Sequence, residues 1–232
     1  MKMNNIFNTA FIAAFAASAF LLVGCASVSK VDNPDYDAFR ESRPVSILVL
    51  PPINNSVEVD APNVILASTV RPLSESGYYV IPVALSNQMF RQNGINTAAD
   101  AHAVAHRRLR DIYGADAALY ITITQFGTAF QVLRSVVQVR ATARLVDIRN
   151  GRLLWEGEIN YEEEPRRTTA NVGGGLAGAL VAAVVTSAID QIANTLSNAA
   201  YKVGVNAMNV FLDAEQPSSI LFGPYNPKFE SD

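Results

Sequence analysis

The residues that could carry out chemistry are few in this 232-residue chain. It has one cysteine, Cys25, and two histidines, His102 and His106. A disulfide within the chain needs two cysteines, so this thiol is either idle or chemically modified. The histidines lie four positions apart, and three consecutive acids occur at Glu162–Glu164. Covalent modification, metal binding and acid–base catalysis are therefore the chemistries to weigh.

Cys25 ends an N-terminal leader that has the parts of a secretory signal. Lys2 is the one charge before an uncharged apolar stretch at residues 6–23. Residues 22–25, LVGC, resemble the lipobox of bacterial lipoproteins. The resemblance implies a diacylglycerol on the Cys25 sulfur, cleavage after Gly24 and acylation of the new amino group. The alternative is an uncleaved membrane anchor with an unmodified cysteine.

The lipobox-like motif predicts a protein that works outside the cytoplasm and contacts a membrane through its N-terminal lipid. One acyl chain binds a membrane only marginally, whereas several chains hold a protein there stably. In the sorting pattern of such lipoproteins, Asp after the lipidated cysteine favours the inner membrane. Ala26 stands there, which implies the outer membrane. The motif leaves open whether the body faces the periplasm or the exterior.

The two histidines are expected on one helix, where positions four apart share a face. Two imidazoles could begin a metal site, but such a site needs a third ligand and none is adjacent. Residues 103–105 are Ala, Val and Ala, so the H-E-x-x-H pattern is absent. A solvated pair beside Arg107 and Arg108 is favoured, and no metal or cofactor is predicted.

The glutamate run does not indicate a catalytic centre. Glu162–Glu164 precede Pro165 and two arginines, a pattern typical of a solvated loop. The chain has no G-x-S-x-G motif, and its one thiol is assigned to the lipid. We therefore expect a protein that is not an enzyme, with an envelope-processing enzyme as the least favoured alternative.

A glycine-rich segment formally matches G-x-G-x-x-G at Gly173, Gly175 and Gly178. A dinucleotide site needs a strand before the motif and an acidic residue about twenty positions later, within a βαβ unit. Here a charged loop precedes the glycines and no later strand is visible. Nucleotide binding is therefore not predicted.

The same segment places Gly174, Gly178 and Ala182 along one side of a helix. Small residues in such a line let two helices approach closely. We predict that these residues pack against the body or against a second copy in a homo-oligomer. Insertion of residues 168–189 into a membrane is the alternative.

Composition narrows the range of partners. Lysine and arginine total 18 and aspartate and glutamate 21, so the formal net charge is −3. This balance has no basic footprint for nucleic acid, and no nucleic-acid partner is predicted.

The order of elements predicts an α+β fold with a mixed sheet and helices packed on one side. Residues 1–24 form the signal peptide, 25–44 a lipidated tether, and 45–232 one domain with a long helical region at 173–213. Strands are predicted at 45–50, 78–82, 117–126, 136–148 and 152–161, and helices at 61–76, 85–92 and 98–113. Apolar and polar residues alternate from 136 to 148, and Asn150-Gly151 predicts a tight turn in a hairpin at about 136–161.

The hairpin also carries a resemblance. Asp147, Gly151 and Trp155 follow the strand–turn–strand pattern of several envelope lipoproteins, among them the curli secretion channel lipoprotein and the lipoprotein activators of penicillin-binding proteins. Their cores are similar to the amino-terminal domain of the Tol periplasmic protein, and the strand SILVLPP at 46–52 fits the same pattern. Across residues 25–232 the chain most resembles an uncharacterised family of lipoproteins typified by a genome-derived neisserial lipoprotein antigen.

The resemblance implies an outer-membrane-anchored protein that acts by protein–protein contact. We expect an accessory subunit of an envelope transport or assembly system, with other envelope lipoproteins, curli-channel-like ones included, as candidate partners. A secretion-pore subunit like the curli channel is the alternative. In that case Arg140, Arg144 and Asp147 would line a lumen. We favour instead the interpretation that the hairpin at about 136–161 belongs to the soluble sheet.

Overall fold

The computed structural model describes residues 36–131, 134–163 and 201–229. Its strands are β1 Ser46–Val49, β2 Ile53–Asn54, β3 Tyr79–Val80, β4 Ala117–Gln131, β5 Arg134–Asp147 and β6 Leu153–Glu163. Its helices are α1 Asp37–Ser42, α2 Ala61–Glu75, α3 Val83–Gln92, α4 Ala98–His102 and α5 His106–Tyr113. Residues 201–212 form a further helix, called the C-terminal helix below.

The strands form one mixed sheet in the order β3-β1-β4-β5-β6, with β2 beside β4. β1 runs parallel to β3 and to β4, and β2 also runs parallel to β4. β4, β5 and β6 are antiparallel neighbours, so the predicted hairpin is the outer part of a three-stranded meander. The predicted α+β class with a mixed sheet is confirmed.

Helices cover both faces of the sheet, so the expectation that they pack on one side is wrong. Ile47 and Val49 of β1 belong to one apolar cluster, which α2 and the C-terminal helix cover. Leu48 and Leu50 belong to a second cluster, covered by α3, α4 and α5. A strand that is apolar on both faces needs a layer on each of them, and the run at 47–50 is of this kind.

The segment just before β1 is folded, which shortens the expected tether at 25–44. Residues 37–42 form α1, and Phe39 on α1 is 3% exposed. The hydroxyl of Tyr36 donates a hydrogen bond to the Ser219 carbonyl at 2.5 Å. The rest of the predicted tether and the signal peptide lie outside the described residues.

The helix expected at 98–113 is two helices. α4 begins with a cap, since the Thr97 side chain accepts a hydrogen bond from the Asp100 N–H, and it ends at His102. α5 begins at His106 and ends before Gly114, which has a φ of 65°. The bend at 103–105 lets α4 bury Ala101 and α5 bury Leu109 against the same cluster.

The turn between β5 and β6 has its positive φ at one glycine. Gly151 has a φ of 79°, whereas Asn150 does not have a positive φ. The Gly151 N–H donates to the Asp147 carbonyl at 2.7 Å, so the loop is longer than a two-residue turn.

The alternation predicted for β5 is confirmed from residue 137 onward. Val137, Val139, Ala141, Ala143 and Leu145 enter the first cluster. On the other face Arg140, Thr142 and Arg144 are exposed, whereas Gln138 is buried and Val146 enters the second cluster. Among the described residues, no helix is long and apolar enough to cross a bilayer. Gly174, Gly178 and Ala182 lie outside the described residues, as does most of the helical region predicted at 173–213.

Candidate binding surface

Asp147 is a buried carboxylate that joins α1 to the β5–β6 loop. It is 1% exposed, and its Oδ2 accepts hydrogen bonds from Arg149 Nη2 at 2.6 Å and from Ser42 Oγ at 2.8 Å. Arg149 Nη2 also donates to the Ser42 carbonyl at 2.7 Å. Burial alone would raise the pKa of Asp147, but the hydrogen bonds from Arg149 and Ser42 hold it below its ordinary value. The role of Asp147 is structural.

Trp155, the only tryptophan of the chain, holds the C-terminal segment against the sheet. Its Nε1 donates to the Ser218 carbonyl at 2.9 Å, and its ring lies 5.4 Å from that of Phe211, between centroids. A Cβ on Gly157 would lie 2.5 Å from the Trp155 ring, so glycine there makes room for the indole. Asp147, Gly151 and Trp155 therefore have structural roles and do not form a reactive site.

An open polar groove lies on the face of β4, β5 and β6 that α3, α4 and α5 leave uncovered. Its volume is about 480 Å³. The residues that line it and carry functional groups include His102, Tyr120, Thr142, Arg144, Glu156 and Glu158. They come from α4 and from three neighbouring strands, so the rigid sheet sets their spacing.

Tyr120 forms the inner end of this groove, between two histidines and an arginine. Its ring centroid lies 5.2 Å from that of His102 and 6.3 Å from that of His106, both in edge contacts. The Arg144 guanidinium lies 5.9 Å from the same ring centroid. The Tyr120 hydroxyl is buried and has no hydrogen-bond partner among the described residues. Burial raises the pKa of Tyr120, so this hydroxyl keeps its proton.

His102 is held in one tautomer. Its Nε2 lies 3.0 Å from the Pro51 carbonyl, which can only accept, so Nε2 carries the hydrogen. Burial lowers the pKa of His102; the bond to Pro51 opposes this shift, and the charge of Arg144 adds to it. The imidazole is therefore neutral near pH 7, and its Nδ1 is an acceptor.

The outer part of the groove is charged. Arg144 on β5 lies directly across from Glu156 on β6, and Thr142 lies across from Glu158. No ion pair within 4.0 Å joins Arg144 to either glutamate in the described part of the chain. The two carboxylates are exposed, so they are available to another molecule.

Among the described residues, β6 also has one backbone edge without a strand partner. It is the last strand of the sheet, and β5 is its only strand partner within the described ranges. Across the residues that the structure describes, no backbone hydrogen bond reaches the edge of residues 153–163 that faces away from β5. Groove and edge together form one surface, called the β6 surface below, which consists of Arg144, Glu156, Glu158 and the outer backbone of β6.

The structure separates the residues that the sequence singled out. His102 and His106 sit on different helices, and both are half-buried against Tyr120 rather than forming a solvated pair. No group of three or more potential metal ligands occurs in the part of the chain that the structure describes. Glu162 and Glu163 end β6 rather than forming a loop, and Glu164 lies outside the described residues, as do Cys25, Gly173 and Gly175.

Sequence reasoning missed the β6 surface, although its signal was present. Alternation places Arg140 and Arg144 on the wet face of β5, and Glu156 and Glu158 on the returning strand. A turn near Gly151 brings these rows side by side, since antiparallel partners face each other across a hairpin. The position of the turn therefore predicts that Arg144 and Glu156 lie across from each other, as the structure shows.

Comparison with known proteins gives a consistent result. A family model described as "Putative lipoprotein GNA1162-like" matches residues 34–225. The chain is 46% identical over 207 residues to "Putative lipoprotein NMB1124/NMB1162" of Neisseria meningitidis serogroup B, which covers 89% of this chain and 93% of the relative.

Solved structures also match. The crystal structure of lipoprotein GNA1162 from Neisseria meningitidis is 47% identical, with a TM-score of 0.50, and the match covers 65% of this chain and 99% of that one. A PelC dodecamer from Paraburkholderia phytofirmans matches at 14% identity and a TM-score of 0.39, over 72% of this chain and 88% of that one.

Proposed function

Because the chain belongs to the GNA1162-like lipoprotein family, we propose that it is a lipid-anchored envelope protein that acts by protein–protein contact. In this proposal it is an accessory subunit of a transport or assembly system at the outer membrane. Its partners are other envelope proteins, curli-channel-like lipoproteins among the candidates. It is not an enzyme.

The observation that carries this proposal is the β6 surface. An exposed strand edge offers a row of unpaired N–H and C=O groups, and proteins use such edges to bind extended segments of partners. Glu156 and Glu158 stand beside the edge with their charges uncompensated by any ion pair among the described residues. A surface of this kind favours recognition over catalysis, because its charged groups are spread along strands rather than converging on one atom.

The anchor is assigned to Cys25 on the sequence alone. Metabolic labelling with a palmitate analogue should tag the native protein and leave Cys25→Ser unlabelled. Density fractionation of envelopes should place the native protein with the outer membrane, and Ala26→Asp should move it to the inner membrane. Equal labelling of the native protein and Cys25→Ser would end this assignment.

Self-association is assigned to the line of small residues Gly174, Gly178 and Ala182. Light scattering of the purified protein should give a mass above that of the monomer, and Gly174→Leu with Gly178→Leu should lower it, because larger side chains hold helix backbones apart. An unchanged mass in that double variant would remove these residues from the interface.

Contact with partners is tested by crosslinking in intact envelopes followed by purification of the lipoprotein. The expected result is one or more envelope proteins that are captured with the native protein and lost with Cys25→Ser, which cannot reach the membrane. Failure of the native protein to capture any envelope protein, at crosslinker positions on every face, would refute the proposed function.

A further inference from the structure

The outer edge of β6 is long enough to bind a complete strand. β6 has 11 residues, whereas β3 at the other end of the sheet has two. Strands of proteins commonly have about five or six residues, so β6 can pair with a partner strand of ordinary length. α1 contacts β6, and Glu41 of α1 forms an ion pair with Arg152, the residue just before β6.

All four charged residues of β6 are glutamates: Glu156, Glu158, Glu162 and Glu163. Glu162 accepts a hydrogen bond from Gln138 of β5, and Glu163 accepts one from Asn206. Glu156 and Glu158 have no such bond within the described ranges, and both face the groove. The part of the edge that is free of side-chain partners is therefore acidic at two alternate positions.

The strands beside this edge carry their charges in rows. β5 places Arg140 and Arg144 on the same face as Glu156 and Glu158 of β6. Neighbouring strands are about 4.8 Å apart, so a strand added to β6 would lie close to the glutamates and about twice as far from the arginines. Side chains directly opposite in neighbouring strands interact, and opposite charges stabilise the pair.

We propose that β6 accepts a strand from a partner protein, an extended segment that carries Lys or Arg at two alternate positions opposite Glu156 and Glu158. The inference rests on the proposed function and adds the chemistry of the partner. Backbone hydrogen bonds along the edge supply affinity, and the two charge pairs supply specificity. The added strand continues the sequence of rows on this face: arginines on β5, glutamates on β6, basic residues on the partner.

The charges argue against a second copy of this chain as the occupant. If two β6 strands paired edge to edge, every charged side chain opposite another would be a glutamate. Like charges directly opposite each other destabilise a strand pair. The same glutamates therefore hinder self-pairing at this edge and select a basic strand.

The test uses the purified full-length lipoprotein in detergent and two labelled peptides of about nine residues, which is within the usual range of strand lengths. One alternates Lys with Thr, and the other alternates Glu with Thr. The Lys peptide should bind and should slow hydrogen exchange at alternate amides of β6. Glu156→Lys with Glu158→Lys should weaken its binding by about tenfold or more and favour the Glu peptide. Asp111→Lys, an exposed acid on α5, is the matched control and should leave binding unchanged.

Three outcomes contradict the proposal: equal binding of both peptides, an unchanged affinity in the double variant, or binding without new protection in β6. No binding of either peptide would also contradict the proposal and would leave the glutamates with the single role of hindering strand pairing at this edge. A photocrosslinking residue in place of Glu158 separates this proposal from the proposed function. Capture of envelope proteins from a position on another face, such as Arg91 on α3, but not from 158, would refute strand addition and leave the contact function standing.

Discussion

At the scale of single residues, Asp147 stands out as a buried carboxylate hydrogen-bonded to both Arg149 and Ser42. The carboxylate is buried, and its partners come from α1 and from the loop that follows β5. Arg149 itself is exposed and lies 3.9 Å from Asp116 as well, so the cost of changing Asp147 comes mainly from the hydrogen bonds that its buried carboxylate accepts. The position therefore controls stability rather than binding.

We predict that Asp147→Asn lowers the free energy of unfolding by about 2 kcal/mol. The amide has one acceptor oxygen instead of two for Arg149 and Ser42, and it carries no negative charge to balance that of Arg149. Urea denaturation measures this change. Asp111→Asn, at an exposed position of α5, is the control and should stay within about 0.5 kcal/mol of the parent. Similar midpoints for both variants would show that the network contributes nothing.

The neutral His102 makes stability depend on pH. Its pKa is lowered in the folded state by burial, so the unfolded chain binds this proton more readily. The contribution of His102 is therefore complete above the ordinary pKa of about 6.5 and is lost as the pH falls through the lowered folded value. We predict a lower unfolding midpoint at pH 5 than at pH 7.5.

The variant that checks this origin is His102→Gln, whose amide N–H can still donate to the Pro51 carbonyl. It should show a smaller loss of stability between pH 7.5 and pH 5 than the parent does. If His102→Gln keeps the parental pH dependence, that dependence arises from another group.

At the scale of elements, the β5–β6 loop depends on Gly151. Its φ of 79° is costly for residues with a Cβ, and a Cβ there would lie 3.0 Å from His106 Nδ1. We predict that Gly151→Ala costs about 1–2 kcal/mol from backbone strain, with a further cost from the contact. Thermal or urea unfolding measures the sum.

Gly94 is a matched control for this substitution. It has the same φ of 79°, and a Cβ there would meet nothing within 4 Å. Gly94→Ala should therefore show the strain alone and destabilise less than Gly151→Ala. Equal effects would mean that the His106 contact relaxes without cost.

Most of the elements could be predicted from local patterns, since alternation and turn residues act over short distances. α2 and the strands β4, β5 and β6 overlap the ranges that apolar periodicity predicts, although β4 extends to Gln131, beyond the predicted end at 126. The bend at 103–105 could not be predicted, because no glycine or proline marks it. It depends on α4 and α5 packing against the sheet, and tertiary packing overrides helix propensity.

The candidate site was predictable only in part, for a related reason. The residue types of the β6 surface and their faces follow from alternation, but their pairing depends on the register that the loop sets. α1 was hidden because it is short and surrounded by polar residues; the apolar residues at this helix are Tyr36, Ala38 and Phe39. Elements that are stabilised mainly by distant partners, such as Ser219 for Tyr36, leave little trace in local sequence.

At the scale of the whole molecule, the segment from 201 onward packs into the first apolar cluster and contacts Tyr36, the residue just before α1, and Trp155 of the sheet. The hydroxyls of Tyr36 and Tyr78 donate to the carbonyls of Ser219 and Leu221, and the Trp155 indole donates to that of Ser218. The C-terminal helix buries further apolar residues in the first cluster: Val203, Ala207, Met208, Phe211 and Leu212. The segment from 201 onward is thus part of the domain and not an appendage to it.

This arrangement predicts that the C-terminal helix and the sheet unfold together. Met208 is fully buried, so Met208→Ala should cost about 2–5 kcal/mol, whereas Val210→Ala on the exposed side of the same helix should cost little. Trp155 reports on docking of this segment, because its indole N–H donates to the Ser218 carbonyl and its ring packs on Phe211. Its fluorescence and the far-ultraviolet dichroism of the helices should therefore change at one common midpoint in the parent and in both variants. A fluorescence transition that precedes the loss of dichroism would show instead that the C-terminal segment detaches from a sheet that stays folded without it.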